Sequence, residues 1–127
     1  MQRRHLKVYL IEDSAQVRSL LTEMFNRFSG VEVIGFAETE REALKQLREV
    51  LWDVAIIDIS LSEGNGLAVL AGLQHDARHY GKRFVFTSYP TEVLRRHSVK
   101  LGADEFFDKS REMELLVNRV RELVPVE

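Results

Sequence analysis

The sequence predicts a doubly wound α/β domain, a parallel sheet with helices on both faces. Two observations carry this. Short apolar, β-rich runs alternate five times with stretches whose apolar residues recur at helical spacing. At the centre, Val54-Ala55-Ile56-Ile57 is apolar without a break until it meets Asp58, as in a strand buried on both faces. The 127-residue length fits one domain, 1–127, and a composition 45% hydrophobic and 30% charged supplies one core.

In chain order, Leu6 to Ile11 is the first strand, and it stops at the acidic pair Glu12-Asp13. Ser14 is a good N-cap. Val17, Leu20, Leu21, Met24, Phe25 and Phe28 then form one apolar stripe, and Ser29-Gly30 ends that helix. Val31 to Ala37 is the second strand. Thr39 caps a second helix with Ala43, Leu44, Leu47 and Leu51 on its inner side. The central strand ends at Asp58 and opens into the loop Ser60 to Gly66. A third helix carries Leu67, Leu70, Ala71 and Leu73 and ends near Gly81. Arg83 to Thr87 is the fourth strand. Thr91 opens a fourth helix running to about Leu101, with the sparse stripe Val93, Leu94 and Leu101, and Gly102 ends it. Ala103 to Asp108 is the fifth strand, followed by Lys109. Ser110 caps the last helix, with Met113, Leu116, Val117, Val120 and Val124 on one side.

Right-handed crossovers leave few topologies for such a chain. The flavodoxin-like order 2-1-3-4-5, with five helices, is the commonest at this size. It sets the first and third strands side by side at the centre.

Composition excludes several classes. A net charge of −2 gives no global pull toward nucleic acid or anionic membrane. The absence of cysteine removes disulfides, thiol catalysis and thiolate metal sites, and it fits a reducing, cytoplasmic setting. The apolar run behind Arg3 and Arg4 spans only Val8 to Ile11, too short for a signal peptide or a membrane span. Met1 to Arg4 and Pro125 to Glu127 read as loose ends.

Four strands end in polar groups at the same edge: Glu12 and Asp13, Asp58, Thr87, and Lys109. In open α/β sheets that edge is where ligands bind. Three convergent carboxylates repel one another, and a divalent cation relieves this. Oxygen ligands without histidine or cysteine suit Mg²⁺. The Lys109 ammonium and the Thr87 hydroxyl would then surround an incoming phosphoryl group, whose transfer needs positioning, an in-line nucleophile and positive charge.

With these residues in register, and with Asn65-Gly66, Gly102-Ala103-Asp104 and Phe106 at their positions, the chain resembles the receiver domain of bacterial two-component response regulators. The resemblance spans essentially the whole chain. It implies that Asp58 is the phosphoacceptor, with no catalysis beyond the domain's own phosphorylation and dephosphorylation. It further implies that Asp13, Asp58, Glu12 (directly or through water) and the Ser60 carbonyl hold Mg²⁺. Thr87 would hydrogen-bond the acyl phosphate and Lys109 would pair with it. Phe106 matches the switch aromatic that turns inward when Thr87 moves, on a responsive face running from Thr91 to Val124. Ser60 and Tyr89 occupy positions that gate water, and a bulky Tyr89 would slow loss of phosphate. The implied partners are a sensor histidine kinase or histidine phosphotransfer protein, and a downstream target or fused output domain. A phosphorylation-dependent homodimer is a further implied outcome, with no direct nucleic-acid or membrane contact.

Three positions depart from the family: Ser62 and Ser110 stand where it usually has proline, and Phe106 lacks the tyrosine hydroxyl of many members. Without proline, a cis Lys109–Ser110 bond costs about 3 kcal/mol, so trans is expected. Taken singly, Asp58 reads as a turn cap, Lys109 as a solvated lysine and Thr87 as a strand-end hydroxyl. Met24, Phe25 and Phe28 read as core. His5, His75, His79 and His97 receive no role, and Arg95-Arg96-His97 with Lys100 reads as a solvated face. Gly64-Asn65-Gly66 is a turn and not a nucleotide fingerprint. The chain end at Glu127 fits a stand-alone regulator or an excised receiver, with Pro125 suited to a linker. The competing function is a pseudo-receiver that binds a partner constitutively. A small phosphatase or flavin enzyme on the same architecture fits less well, since position 60 is Ser where the phosphatase pattern needs Asp.

Overall fold

The computed structural model describes residues 5–76 and 81–126. Strands and helices alternate as β1 (Leu6–Ile11), α1 (Ala15–Phe25), β2 (Val31–Ala37), α2 (Glu40–Glu49), β3 (Val54–Ile57), α3 (Gly66–Gln74), β4 (Lys82–Thr87), α4 (Glu92–Lys100), β5 (Glu105–Asp108) and α5 (Met113–Glu122). All pairings are parallel, in the order β2-β1-β3-β4-β5. This is the flavodoxin-like arrangement the periodicity predicts.

The sheet is covered on both faces because its strands carry apolar residues at odd and even positions alike. Tyr9, Ile11, Ala55, Ile57, Val85 and Phe106 meet α2, α3 and α4. Val8, Leu10, Val54, Ile56, Phe84, Phe86 and Phe107 meet α1 and α5. Phe106 and Phe107 thus enter opposite cores, as consecutive strand residues must. Each fully buried side chain of this size contributes about 2–3 kcal/mol of transfer free energy.

Helix starts follow local chemistry. The Ser14, Thr39, Asn65 and Thr91 side chains accept from the third residue beyond them, Val17, Glu42, Ala68 and Leu94. Ser110 does not cap α5. Its hydroxyl and its N–H both donate to Asp108 Oδ1, at 2.7 and 2.9 Å. The helix begins two residues later behind Glu112, which provides no side-chain cap. Three further expectations are corrected. α3 ends at Gln74, short of Gly81, with His75 as its C-cap; residues 77–80, with His79, lie outside the described residues. Leu51 is 78% exposed, since Val50 turns extended and ends α2; Trp52 takes the inward role. Leu20 and Val93 are exposed, so their stripes are narrower than the spacing predicts. The expected loose ends at 1–4 and 127 also lie outside the described residues.

Trp52 is buried at the start of β3, its indole N–H donating to the Leu47 carbonyl at 2.9 Å. A side chain at Gly81 would strike the indole ring.

Candidate functional site

The sheet's hydrogen-bond ladder continues one step past the strands and aligns the residues that follow them. Glu12 N–H donates to Ala37, Asp58 N–H to Ile11 and Lys109 N–H to Thr87, each at 2.9 Å. Backbone pairing therefore brings together residues that are far apart in sequence.

Glu12, Asp13 and Asp58 each place a carboxylate oxygen within 4.8 Å of the others. Lys109 Nζ bridges two of them, 2.7 Å from Glu12 Oε1 and 2.8 Å from Asp58 Oδ2. The remaining oxygens of these two acids are also engaged. Ser14 N–H donates to Glu12 Oε2 at 3.1 Å, and Ser60 N–H donates to Asp58 Oδ1 at 3.2 Å. Glu12 and Asp58 are almost fully buried, whereas Asp13 is half-buried and makes no hydrogen bond or ion pair among the described residues.

Burial pushes the Glu12 carboxyl above its usual range, and the neighbouring Asp58 charge adds to this against the opposing Lys109 bond. Burial alone would lower the Lys109 ammonium. Its hydrogen bonds to Asp58 and Glu12, with their charges, outweigh that and raise it above its usual value. Lys109 is therefore a fixed cation, packed with its Nζ 5.9 Å from the centre of the Phe86 ring.

Thr87 is fully buried at the end of β4. Its Oγ1 accepts from Tyr89 N–H at 3.1 Å, and its hydroxyl hydrogen is committed to no group among the described residues. The arrangement is an acidic pocket with one fixed cation and one uncommitted carboxylate, and the buried Thr87 ends the neighbouring strand, its carbonyl accepting from Lys109 N–H.

Residues 8–121 match the family described as the response regulator receiver domain. The chain belongs to this family. A protein-glutamate methylesterase/protein-glutamine glutaminase of Methanospirillum hungatei is 29% identical over 108 residues, covering 84% of this chain and 31% of that protein. The chain thus spans about a third of this relative's length. Among solved structures, the response regulator domain of Thermotoga maritima CheB superposes with a TM-score of 0.84 at 22% identity, covering 98% of this chain and 99% of that one. The CheX–CheY complex with BeF3 and Mg²⁺ from Borrelia burgdorferi gives 0.83 at 20% identity, covering 95% and 90%. These two likenesses show the fold.

Receiver domains bind Mg²⁺ at an acidic pocket, and the donors here fit such an ion. All are hard oxygens, and the Asp13 carboxylate, which Lys109 does not engage, is free to serve as a ligand. No helix among the described residues is long and apolar enough to cross a membrane.

The other expected site residues are placed as follows. Ser60 is exposed beside Asp58. The Lys109–Ser110 bond is trans, as no cis peptide occurs among the described residues. Phe106 already lies inward at 8% exposure, with the Arg95 guanidinium 5.7 Å from its ring centre. Tyr89 is 61% exposed.

Two residues named in the sequence have roles that their motifs did not disclose. A side chain at Gly66 would collide with the Asp58 carbonyl and with Ile57, so only glycine lets α3 start this close to Asp58. Ser62, noted only as a missing proline, ties its loop down: its hydroxyl and N–H donate to the Glu38 carbonyl at 3.0 and 3.3 Å. The nearby pair Glu40 N–H to Glu63 carbonyl, at 3.0 Å, adds to the same seam. A serine 24 residues from its partner Glu38 gives no sequence signal for such a bond.

Proposed function

We propose that this receiver accepts a phosphoryl group on Asp58, with Mg²⁺ held by Asp13, Asp58, Glu12 and the Ser60 carbonyl. The observation that carries the reading is the bridged pair Glu12–Lys109–Asp58 beside the uncommitted Asp13. The bound cation would supply positive charge for the equatorial phosphoryl oxygens. The donor is a phosphohistidine of a sensor kinase or phosphotransfer protein. A carboxylate oxygen of Asp58 attacks phosphorus, the P–N bond breaks, and the departing imidazole takes up a proton. Lys109 then transfers its ion pairing from the carboxylate to the phosphoryl oxygens, and the Thr87 hydroxyl donates to them.

Phosphorylation adds up to two negative charges at the pocket. Drawing Thr87 inward pulls on the β4–α4 connection that begins with Tyr89. Phe106 already occupies its inward position, so phosphorylation stabilises a packing the ring can reach unaided, a population shift across α4, β5 and α5. A downstream target or an output domain reads that face, and a homodimer is a second way to read it. The domain works in the cytoplasm and catalyses only its own phosphorylation and dephosphorylation. Tyr89 shields the phosphoryl group from water.

The test is incubation with acetyl phosphate and Mg²⁺ followed by intact mass. One added phosphoryl group, lost on acid–base hydrolysis and absent in Asp58→Ala, is the expected result. No gain, or a gain that survives Asp58→Ala, would overturn the reading and favour a constitutive binding module.

A further inference from the structure

Arg18 lies in the first turns of α1, where a cation is disfavoured by the helix dipole and so needs another reason to be there. Its side chain is only 14% exposed. Nη1 donates to the Glu12 carbonyl at 2.6 Å and to Glu38 Oε2 at 3.0 Å, while the guanidinium stacks 4.0 Å from the centre of the Phe36 ring. Glu38 in turn accepts, through its backbone carbonyl, from Ser62 in the loop that follows Asp58. One guanidinium therefore links the loop after β1 to the loop after β3.

We infer that Arg18 is a positioning residue for the cation site. This rests on the reading of the acidic pocket as a Mg²⁺ site. The peptide between Glu12 and Asp13 is planar, so fixing the Glu12 carbonyl oxygen fixes the direction in which Asp13 leaves the chain. Asp13 has no hydrogen bond of its own to orient it. On the other side, Glu12 N–H is held by the Ala37 carbonyl. Arg18 thus completes a two-sided clamp on the turn that presents both acids. Glu38 neutralises its charge, so the contribution is orientation rather than field. Losing the Arg18 cation while keeping Glu38 would on charge alone favour Mg²⁺. A weaker affinity in such a variant therefore reports geometry.

The experiment is calorimetric titration of the full chain with MgCl₂ at neutral pH, well below each variant's melting temperature. Arg18→Met keeps the apolar cover over Phe36 and removes the donors; about ten-fold weaker binding is expected, as for other groups that orient metal ligands. Arg18→Lys keeps one donor, and about three-fold weaker binding is expected on the same scale. Phe36→Leu loses the stack alone; it should melt lower yet bind Mg²⁺ within about two-fold of wild type, below the range seen for orienting groups. Unchanged or tighter binding by Arg18→Met overturns the inference, as does an equal loss in Phe36→Leu. If Arg18→Met does not fold, Arg18→Lys decides by the same criterion. Absence of Mg²⁺ binding by the wild type would sink the cation reading and this inference together, whereas loss of the Arg18 effect alone sinks only the latter.

Discussion

Replacing Asp13 by Asn should stabilise the metal-free protein and abolish its response to Mg²⁺. Three carboxylates and one ammonium leave the pocket at −2 when all are ionised. At a separation near 4.8 Å, each pair of unit charges interacts by about 3–4 kcal/mol at an effective dielectric of 20. Asp13 faces two carboxylates that share the single Lys109 ammonium, so one uncompensated repulsion remains. Half-exposure screens it further, and about 1–2 kcal/mol of relief is expected from Asp13→Asn. No hydrogen bond is lost in exchange, because the Asp13 carboxylate makes none among the described residues. Urea unfolding followed by circular dichroism in EDTA would show this as a midpoint about 0.5–1 M higher, for a urea dependence near 2 kcal/mol per molar. Adding Mg²⁺ reverses the order. Wild type gains about 2.7 kcal/mol at a hundred times its dissociation constant, and the variant gains almost nothing. A variant less stable than wild type in EDTA would refute the charge argument. An undiminished Mg²⁺ increment would refute the ligand assignment.

Three more outcomes are expected. Burial, with the Glu42 charge adding, pushes the Tyr9 phenol up to about 12. Between pH 10 and about 12 the unfolded chain loses a proton that the folded chain keeps, so stability falls over that window, by about 2–3 kcal/mol at its end. Tyr9→Phe should cost about 1 kcal/mol at neutral pH by removing the bond to the Phe36 carbonyl, and flatten that loss; an unchanged alkaline limb in pH-dependent urea unfolding would contradict it. The raised Lys109 adds a separate loss above its ordinary value, which the Tyr9 variant keeps. Ser98 is fully buried in α4 and its hydroxyl has no partner among the described residues, so Ser98→Ala should stabilise by about 1 kcal/mol through helix propensity and relief of the unpaired group; a loss of melting temperature would show that the hydroxyl is bonded. Tyr89→Ala should lose its phosphoryl group several-fold faster than wild type in a phosphate-release assay, and an equal rate would end the shielding proposal.

The site was legible in the sequence because each of its members sits at a strand end, and strand ends are marked by a change from apolar to polar. Backbone pairing alone then aligns Glu12, Asp58 and Lys109. What stayed hidden depends on competition between nearby partners. Ser110 reads as a helix cap, but Asp108 is closer and captures both of its donors, which also holds the Asp108 carboxyl below its usual range. Leu51 fits the helical spacing of α2, but the helix stops at Glu49 and the apolar demand is met by Trp52 instead. The clamp through Arg18, Glu38 and Ser62 joins three loops by side chain and carbonyl, and no spacing rule records such a meeting.

The chain's single tryptophan stands at the opposite end of β3 from Asp58, six positions and roughly 20 Å of extended chain away. Its fluorescence is therefore an optical reporter of whether the domain is intact, insulated from the acidic end. A signal that collapses marks unfolding, while one that holds steady under added salt of a divalent metal marks a change confined to the pocket.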